Sequence, residues 1–189
     1  MSYVRSGIGL MVVVSLLAAG LEISSAFNSH ITEDPTQLLK KYLSLDKKGV
    51  RLEAGTWEVV RPFVAWTEEP AWGQVVVISE FHVNEDTFQW EILNDLEAKI
   101  PVTYEVLGTM NWERVTFLKD PHQETRMFHI KAVYDRWQIL GPEIPPHVGR
   151  QRLMDFVRWA EMQEHEEVKK TQFQILRKQL KASKEVQTQ

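Results

Sequence analysis

Residues Arg126 to Val148 read RMFHIKAVYDRWQILGPEIPPHV, and this stretch decides the fold. Phe128, Ile130 and Ala132 alternate with Met127, His129, Lys131 and Val133, the period of two expected of a strand with one buried face. A tight turn at Asp135-Arg136 leads to Trp137-Gln138-Ile139-Leu140, the returning strand. Pro142, Pro145 and Pro146 then end the sheet, because proline has no amide hydrogen to donate to a ladder.

Upstream segments alternate in the same way. Gln74 to Val83 (QVVVISEFHV) places Val75, Val77, Ser79, Phe81 and Val83 on one side and Val76, Ile78, Glu80 and His82 on the other. Glu97 to Leu107 places Ile100, Val102, Tyr104 and Val106 opposite Pro101, Thr103, Glu105 and Leu107. Pro101 belongs near a strand start, an edge or a bulge, and Gly108 marks a bend or bulge. Asn111 to Leu118 contributes Trp112, Val115 and Phe117, and Lys119-Asp120-Pro121-His122 reads as a turn. Asn84 to Leu96 reads as a loop, with or without a short strand through Phe88 to Ile92. Successive strands joined by short turns predict an antiparallel meander rather than a parallel sheet.

Helices flank this sheet. Thr32 or Asp34 is suited to cap a helix with Pro35 just inside it. Leu38, Leu39, Tyr42, Leu43 and Leu45 continue the helix to about Leu45, and Lys47-Lys48-Gly49 closes it. Val50 to Arg61 fits a short second helix or an extended connection equally well, and Glu68 to Gly73 reads as a turn. From Gly149 to about Lys184 one helical pattern runs without an internal Pro or Gly, with Leu153, Phe156, Val157 and Ala160 as its apolar stripe. Its second half is charged, acids first and bases later, and is expected to project or to self-associate.

The first 26 residues differ from the rest. Arg5 precedes the uncharged run Gly7 to Leu21, and Ser24-Ser25-Ala26 follows with the small residues a signal peptidase reads. A secretory signal cleaved after Ala26 is expected, with an uncleaved anchor as the alternative; either exports the remainder to the periplasm or the extracellular space. The expected organisation is a signal over 1–26, an α+β cone-like domain over 27–148 and the C-terminal helix over 149–189. The 189 residues carry net charge −4 and no cysteine. No basic field exists to gather nucleic acid, and disulfides, a Cys nucleophile and Cys-ligated zinc are excluded.

The helix with LLxxY at Leu38 to Tyr42, the strands VVVISEFHV and KIPVTYEVLG, and the closing RMFHIKAVYDRWQILGPEIPPHV together resemble small exported proteins of the nuclear-transport-factor-like superfamily, over roughly Pro35 to His147. The resemblance implies an α+β cone, with helices covering one side of a strongly curved antiparallel sheet. Members include ketosteroid-isomerase-like and dehydratase-like enzymes, ligand binders and non-catalytic assembly modules, so the resemblance leaves function open. The long charged helix after Gly149 departs from the smallest members.

Two readings of the polar strand positions compete. If their strands are neighbours, Glu80, His82, Glu105, His129 and Lys131 form one cluster in which carboxylate and imidazole tune each other for acid–base work. Alternatively they are the solvated face of an antiparallel sheet. The six histidines show neither HxH nor HExxH spacing, and phosphate loops, GxSxG and SxxK with its partner motifs are absent, so neither a metal nor a cofactor is expected. Trp57, Trp66, Trp72, Trp90 and Trp112 suit a core better than an aromatic ligand platform. The sequence therefore favours an exported, non-catalytic envelope module that binds a partner protein or a small apolar ligand. The alternative is a small acid–base enzyme, isomerase- or dehydratase-like, with its site in the cone. Membrane contact is expected only through the signal, and self-association only through the C-terminal helix.

Overall fold

The computed structural model describes residues 34–53 and 55–183. The expected signal, the tail behind it and Lys184, the expected last residue of the C-terminal helix, lie outside the described residues.

Helix α1 spans Pro35–Lys47, with Asp34 as its N-cap. The Asp34 carboxylate accepts from the Thr36 amide at 2.7 Å, satisfying one of the donors a helix start leaves open. Leu38, Leu39, Tyr42 and Leu43 are buried along one stripe, and Gly49 (φ 73°) ends the segment in the left-handed conformation. The ambiguous stretch after it is helical in short pieces: a 3-10 turn at Val50–Leu52, α2 at Trp57–Val60 and a 3-10 turn at Arg61–Phe63.

Six strands follow: β1 Gln74–Val83, β2 Glu91–Asn94, β3 Glu97–Asn111, β4 Thr116–Val133, β5 Arg136–Gly141 and β6 His147–Gly149. They form one sheet in the order β5-β4-β3-β1-β6, with β2 pairing β3 beyond the end of β1, curled into a half-barrel. The meander is antiparallel except at one edge. After the prolines the chain returns as β6, and three residues pair parallel to β1.

The expected turn at Lys119 to His122 does not exist. β3 and β4 are longer than their alternation indicates, and β4 runs straight through this segment. Val106 pairs with His122 and Gly108 with Lys119, so Leu107 alone opposes Asp120 and Pro121. This is a two-against-one bulge, and a bulge is where a strand tolerates proline. Gly108 (φ +148°) makes it feasible: a Cβ there would lie 2.2 Å from the Leu118 carbonyl oxygen. Pro101 sits at a local edge. The amide of Asn84, just past the end of β1, donates to its carbonyl at 3.0 Å, and no further strand residue needs its missing donor.

The register on β1 also slips, between Val77 and Ile78 and again between Ile78 and Glu80. The irregularities on β1, β3 and β4 therefore align across the sheet, bend it, and exchange which face each residue presents. On one side of that line Ile78, Val83, Ile100, Val102, Tyr104, Val106, Phe128, Ile130 and Ile139 pack with α1. On the other side Val75, Val77, Leu107, Met110 and Phe117 form a second core with the C-terminal helices.

The C-terminal segment is helical but bent back. Helix α3 (Arg150–Gln163) and the long helix α4 (Glu167–Ala182) are separated by Glu164-His165-Glu166. The Glu164 carboxylate accepts from the amides of His165 and Glu166 at 2.8 and 3.0 Å, a local turn that competes with the helix. The helices lie antiparallel, tied by Arg177 Nη1–Glu161 Oε2 (2.6 Å) near the turn and by Arg150 Nη1–Ser183 O (2.6 Å) at the open end. The charged half therefore does not project. Leu176 and Leu180 are fully buried with Leu153 and Val157, because folding back hides the apolar side of an otherwise polar helix.

Candidate functional site

Glu80, His82 and Glu105 lie together across the register pairs Glu80↔Glu105 and His82↔Thr103, with Lys47 at the end of α1 reaching Glu80. Glu80 and His82 are exposed, and Glu105 is half-buried and accepts from the Ser79 hydroxyl at 2.9 Å. The Glu80 carboxyl is held below its ordinary pKa: partial burial raises it, and Lys47 at 2.6 Å with the Phe81 amide outweighs that. His129 and Lys131 form a separate group around Glu97, at 2.7 and 3.1 Å. Lys131, followed by His129, draws the Glu97 pKa down. The two groups share a face, but at the level of β4 His82 and Glu105 stand four and six residues from His129, about 13–20 Å at strand rise. The five residues thus form two solvated clusters, neither of them in the cone.

Inside the cone a different set converges. Arg51 is 2% exposed at its side chain and makes five hydrogen bonds. Its Nε and Nη2 donate to Glu69 Oε1 at 2.9 and 2.6 Å, Nη1 donates to Tyr42 OH (3.2 Å) and Asp46 Oδ2 (3.3 Å), and Nη2 also donates to the Ile144 carbonyl (2.8 Å). Glu69 Oε1 additionally accepts from Trp72 Nε1 at 2.8 Å. Asp46 Oδ2 accepts from the His147 amide at 3.0 Å, which joins α1 to β6. The His147 ring stacks on Tyr104 with centroids 4.2 Å apart. In β4 Glu124 pairs in register with Tyr104, and its charge acts on both rings.

Burial governs the electrostatics. It pushes the Asp46 carboxyl up to about 6 against the pull of Arg51 and the His147 amide. It pushes His147 down to about 4, so the ring is neutral at pH 7. His147 Nδ1 lies 2.8 Å from the Pro145 carbonyl, which can only accept, so Nδ1 carries the hydrogen and Nε2 is an acceptor. Tyr42 and Tyr104 are raised, chiefly by burial, and stay protonated. At Arg51 burial works to lower the pKa, and Asp46, Tyr42 and Glu69 outweigh it, so the guanidinium stays charged.

Most of this network is saturated, and part is not. Among the described residues Asp46 Oδ1, Glu69 Oε2, Tyr104 OH, His147 Nε2 and Trp66 Nε1 are buried without a hydrogen-bond partner. Each such atom costs about 1–3 kcal/mol unless something satisfies it. Four of them, Asp46 Oδ1, Glu69 Oε2, Tyr104 OH and His147 Nε2, belong to the network around Arg51, one donor and three acceptors able to hold a polar group, and the Asp46 carboxyl at about 6 can exchange a proton. Among the described residues no group of three His, Asp or Glu side chains is arranged to hold a metal.

Sequence reasoning did not select these residues. Asp46 carried a signal, since it follows Leu39, Tyr42 and Leu43 at helical spacing and so falls on the buried stripe of α1. Tyr104 was legible only as an apolar strand position, and nothing local to Arg51, Glu69 or His147 brings them together.

No family model and no curated protein matches the chain. Among solved structures it is similar to an NTF-2-like protein of unknown function from Shewanella oneidensis MR-1. The match has a TM-score of 0.31 and 12% identity, and covers 56% of this chain and 94% of that one. A similarity of this size carries nothing about ligand or activity.

Proposed function

We propose that the protein is an exported, non-catalytic module that binds a small ligand on the cone side of its sheet, through the Tyr104–His147 edge of the Asp46–Arg51–Glu69 network. The observation that supports this is the set of four buried polar atoms without protein partners, on Asp46, Glu69, Tyr104 and His147, around one saturated arginine. A purely structural network would leave fewer such atoms, because each one weakens the fold. Isothermal calorimetry of small polar compounds extracted from the envelope, compared between wild type and Tyr104→Phe, tests it. Binding that falls at least about tenfold in Tyr104→Phe, the loss of one hydrogen bond of about 1.4 kcal/mol, supports the reading. Identical binding sinks it. Export is tested separately by N-terminal sequencing of the cell-derived protein, which is expected to begin at Phe27.

A second reading rests on Asp46. A buried carboxyl held at about 6 is poised to exchange a proton near neutrality. That reading requires a turnover whose rate follows an ionisation near 6 and disappears in Asp46→Asn.

A further inference from the structure

We propose that the α3–α4 hairpin is a self-complementary docking surface for a second copy of this chain, packed head to tail about a two-fold axis. The charge along the hairpin is segregated. Residues 161–170, at the closed end, contain four acids and two lysines, whereas residues 150–158 and 171–182, toward the open end, contain six cations and one acid. Glu166 and Glu167 at the closed end are exposed and hold only their i+3 lysines, contacts that are weak on a solvated helix. Arg158, Lys178 and Lys181 line a groove of about 600 Å³ between the helices with Arg177 and one acid, Asp155, and none of the three has an acidic partner among the described residues.

Exposed apolar side chains occur on the hairpin as well, outside the groove. Trp159 and Met162 are one helical turn apart on α3, and Val168 and Ile175 two turns apart on α4, with exposures from 51% to 71%. Rotating one hairpin by 180° onto another lays the acidic end of each over the basic groove of the other. An isologous interface requires this self-complementarity. The surface is small. Helices of 14 and 16 residues present a face about 21 Å long and about 20 Å wide. That is about 400 Å² per copy, so the dimer is weak, forms at tens of micromolar, and depends on salt.

Sedimentation velocity of the full chain over a concentration series up to about 200 μM tests this. The expected dimer weakens about tenfold between about 50 mM and about 500 mM salt. Two charge reversals, Lys178→Glu with Lys181→Glu and Glu166→Lys with Glu167→Lys, alter only exposed positions and each abolish the dimer over this range. An equimolar mixture of the two doubly substituted chains restores it, because both end-to-groove contacts are again complementary. A chain that is monomeric throughout, a dimer indifferent to both reversals, or a mixture that associates no better than its components overturns the proposal. Association through the apolar residues 7–21 would ignore both reversals and counts against it. Should a reversed chain fail to fold, the salt dependence of the wild-type association decides alone.

Discussion

Asp46 and His147, joined by an amide hydrogen bond in a buried cluster, should impose opposite pH dependences on stability. The Asp46 carboxyl rises from 3.8 to about 6 on folding. Well below 3.8 it is protonated in both states; from 3.8 up to about 6 the unfolded chain ionises while the folded state keeps the buried acid protonated, and stability falls by about 3 kcal/mol. His147 falls from 6.5 to about 4. Above 6.5 it is neutral in both states; as pH falls toward 4 the unfolded chain binds a proton that the folded ring resists, and stability falls by about 3 kcal/mol in that direction. Across pH 4 to 6.5 the two contributions nearly cancel, and this pair leaves the wild-type curve flat. Single substitutions unmask them. Asp46→Asn, which keeps an oxygen for the His147 amide, should become more stable as pH rises from 4 to 6.5. His147→Asn, which keeps a donor for the Pro145 carbonyl, should become less stable over the same range. Urea denaturation at half-unit pH steps measures both slopes. Variants whose stability curves run parallel to wild type would refute the reasoning, because the two groups would then be solvated rather than buried.

Three further outcomes follow from the packing. Arg51→Met should cost about 3–5 kcal/mol in urea denaturation at pH 7, since it strands Asp46, Glu69 and Tyr42 without their shared donor; a loss under about 1 kcal/mol would mean that water reaches the network. Gly108→Ala should cost about 3 kcal/mol or more or prevent folding, because the new Cβ meets the Leu118 carbonyl oxygen and the Phe117 ring; thermal melting within a degree or two of wild type would contradict the bulge. Leu176→Ala should cost about 2–5 kcal/mol, as deletion from a fully packed site does, whereas a projecting helix would lose almost nothing.

Several elements were legible because their signals are local. The Asp34 cap, the stripe Leu38, Leu39, Tyr42, Leu43 and the left-handed Gly49 bound α1 without reference to any other segment. The alternation of Gln74 to Val83 marks β1 at both ends. Lys119-Asp120-Pro121-His122 misled because a proline in a bulge and a proline in a turn look alike in sequence; what distinguishes them is a partner strand with Gly108 opposite. The C-terminal helix was legible as helix, and its break was not, since Glu164 caps a turn only where α4 has a core to fold back onto. Charged residues at alternating strand positions drew attention to Glu80, His82, Glu105, His129 and Lys131, which stay outside the buried network in two partly solvated groups.

By itself, then, the sequence determined the helix–sheet–helix order, the α+β class and the bounds of α1 and β1, all of which rest on capping, periodicity and turn chemistry within a few residues. Tertiary structure alone decided which face each strand buries, because aligned bulges on three strands exchange the faces halfway along the sheet. It alone decided the candidate site as well. Arg51 reaches Glu69 and the Ile144 carbonyl, and Asp46 reaches the His147 amide, 101 residues away in the chain. Contacts at that separation leave no periodic trace; they form only once the curled sheet has closed over α1 and removed water from the charges between them.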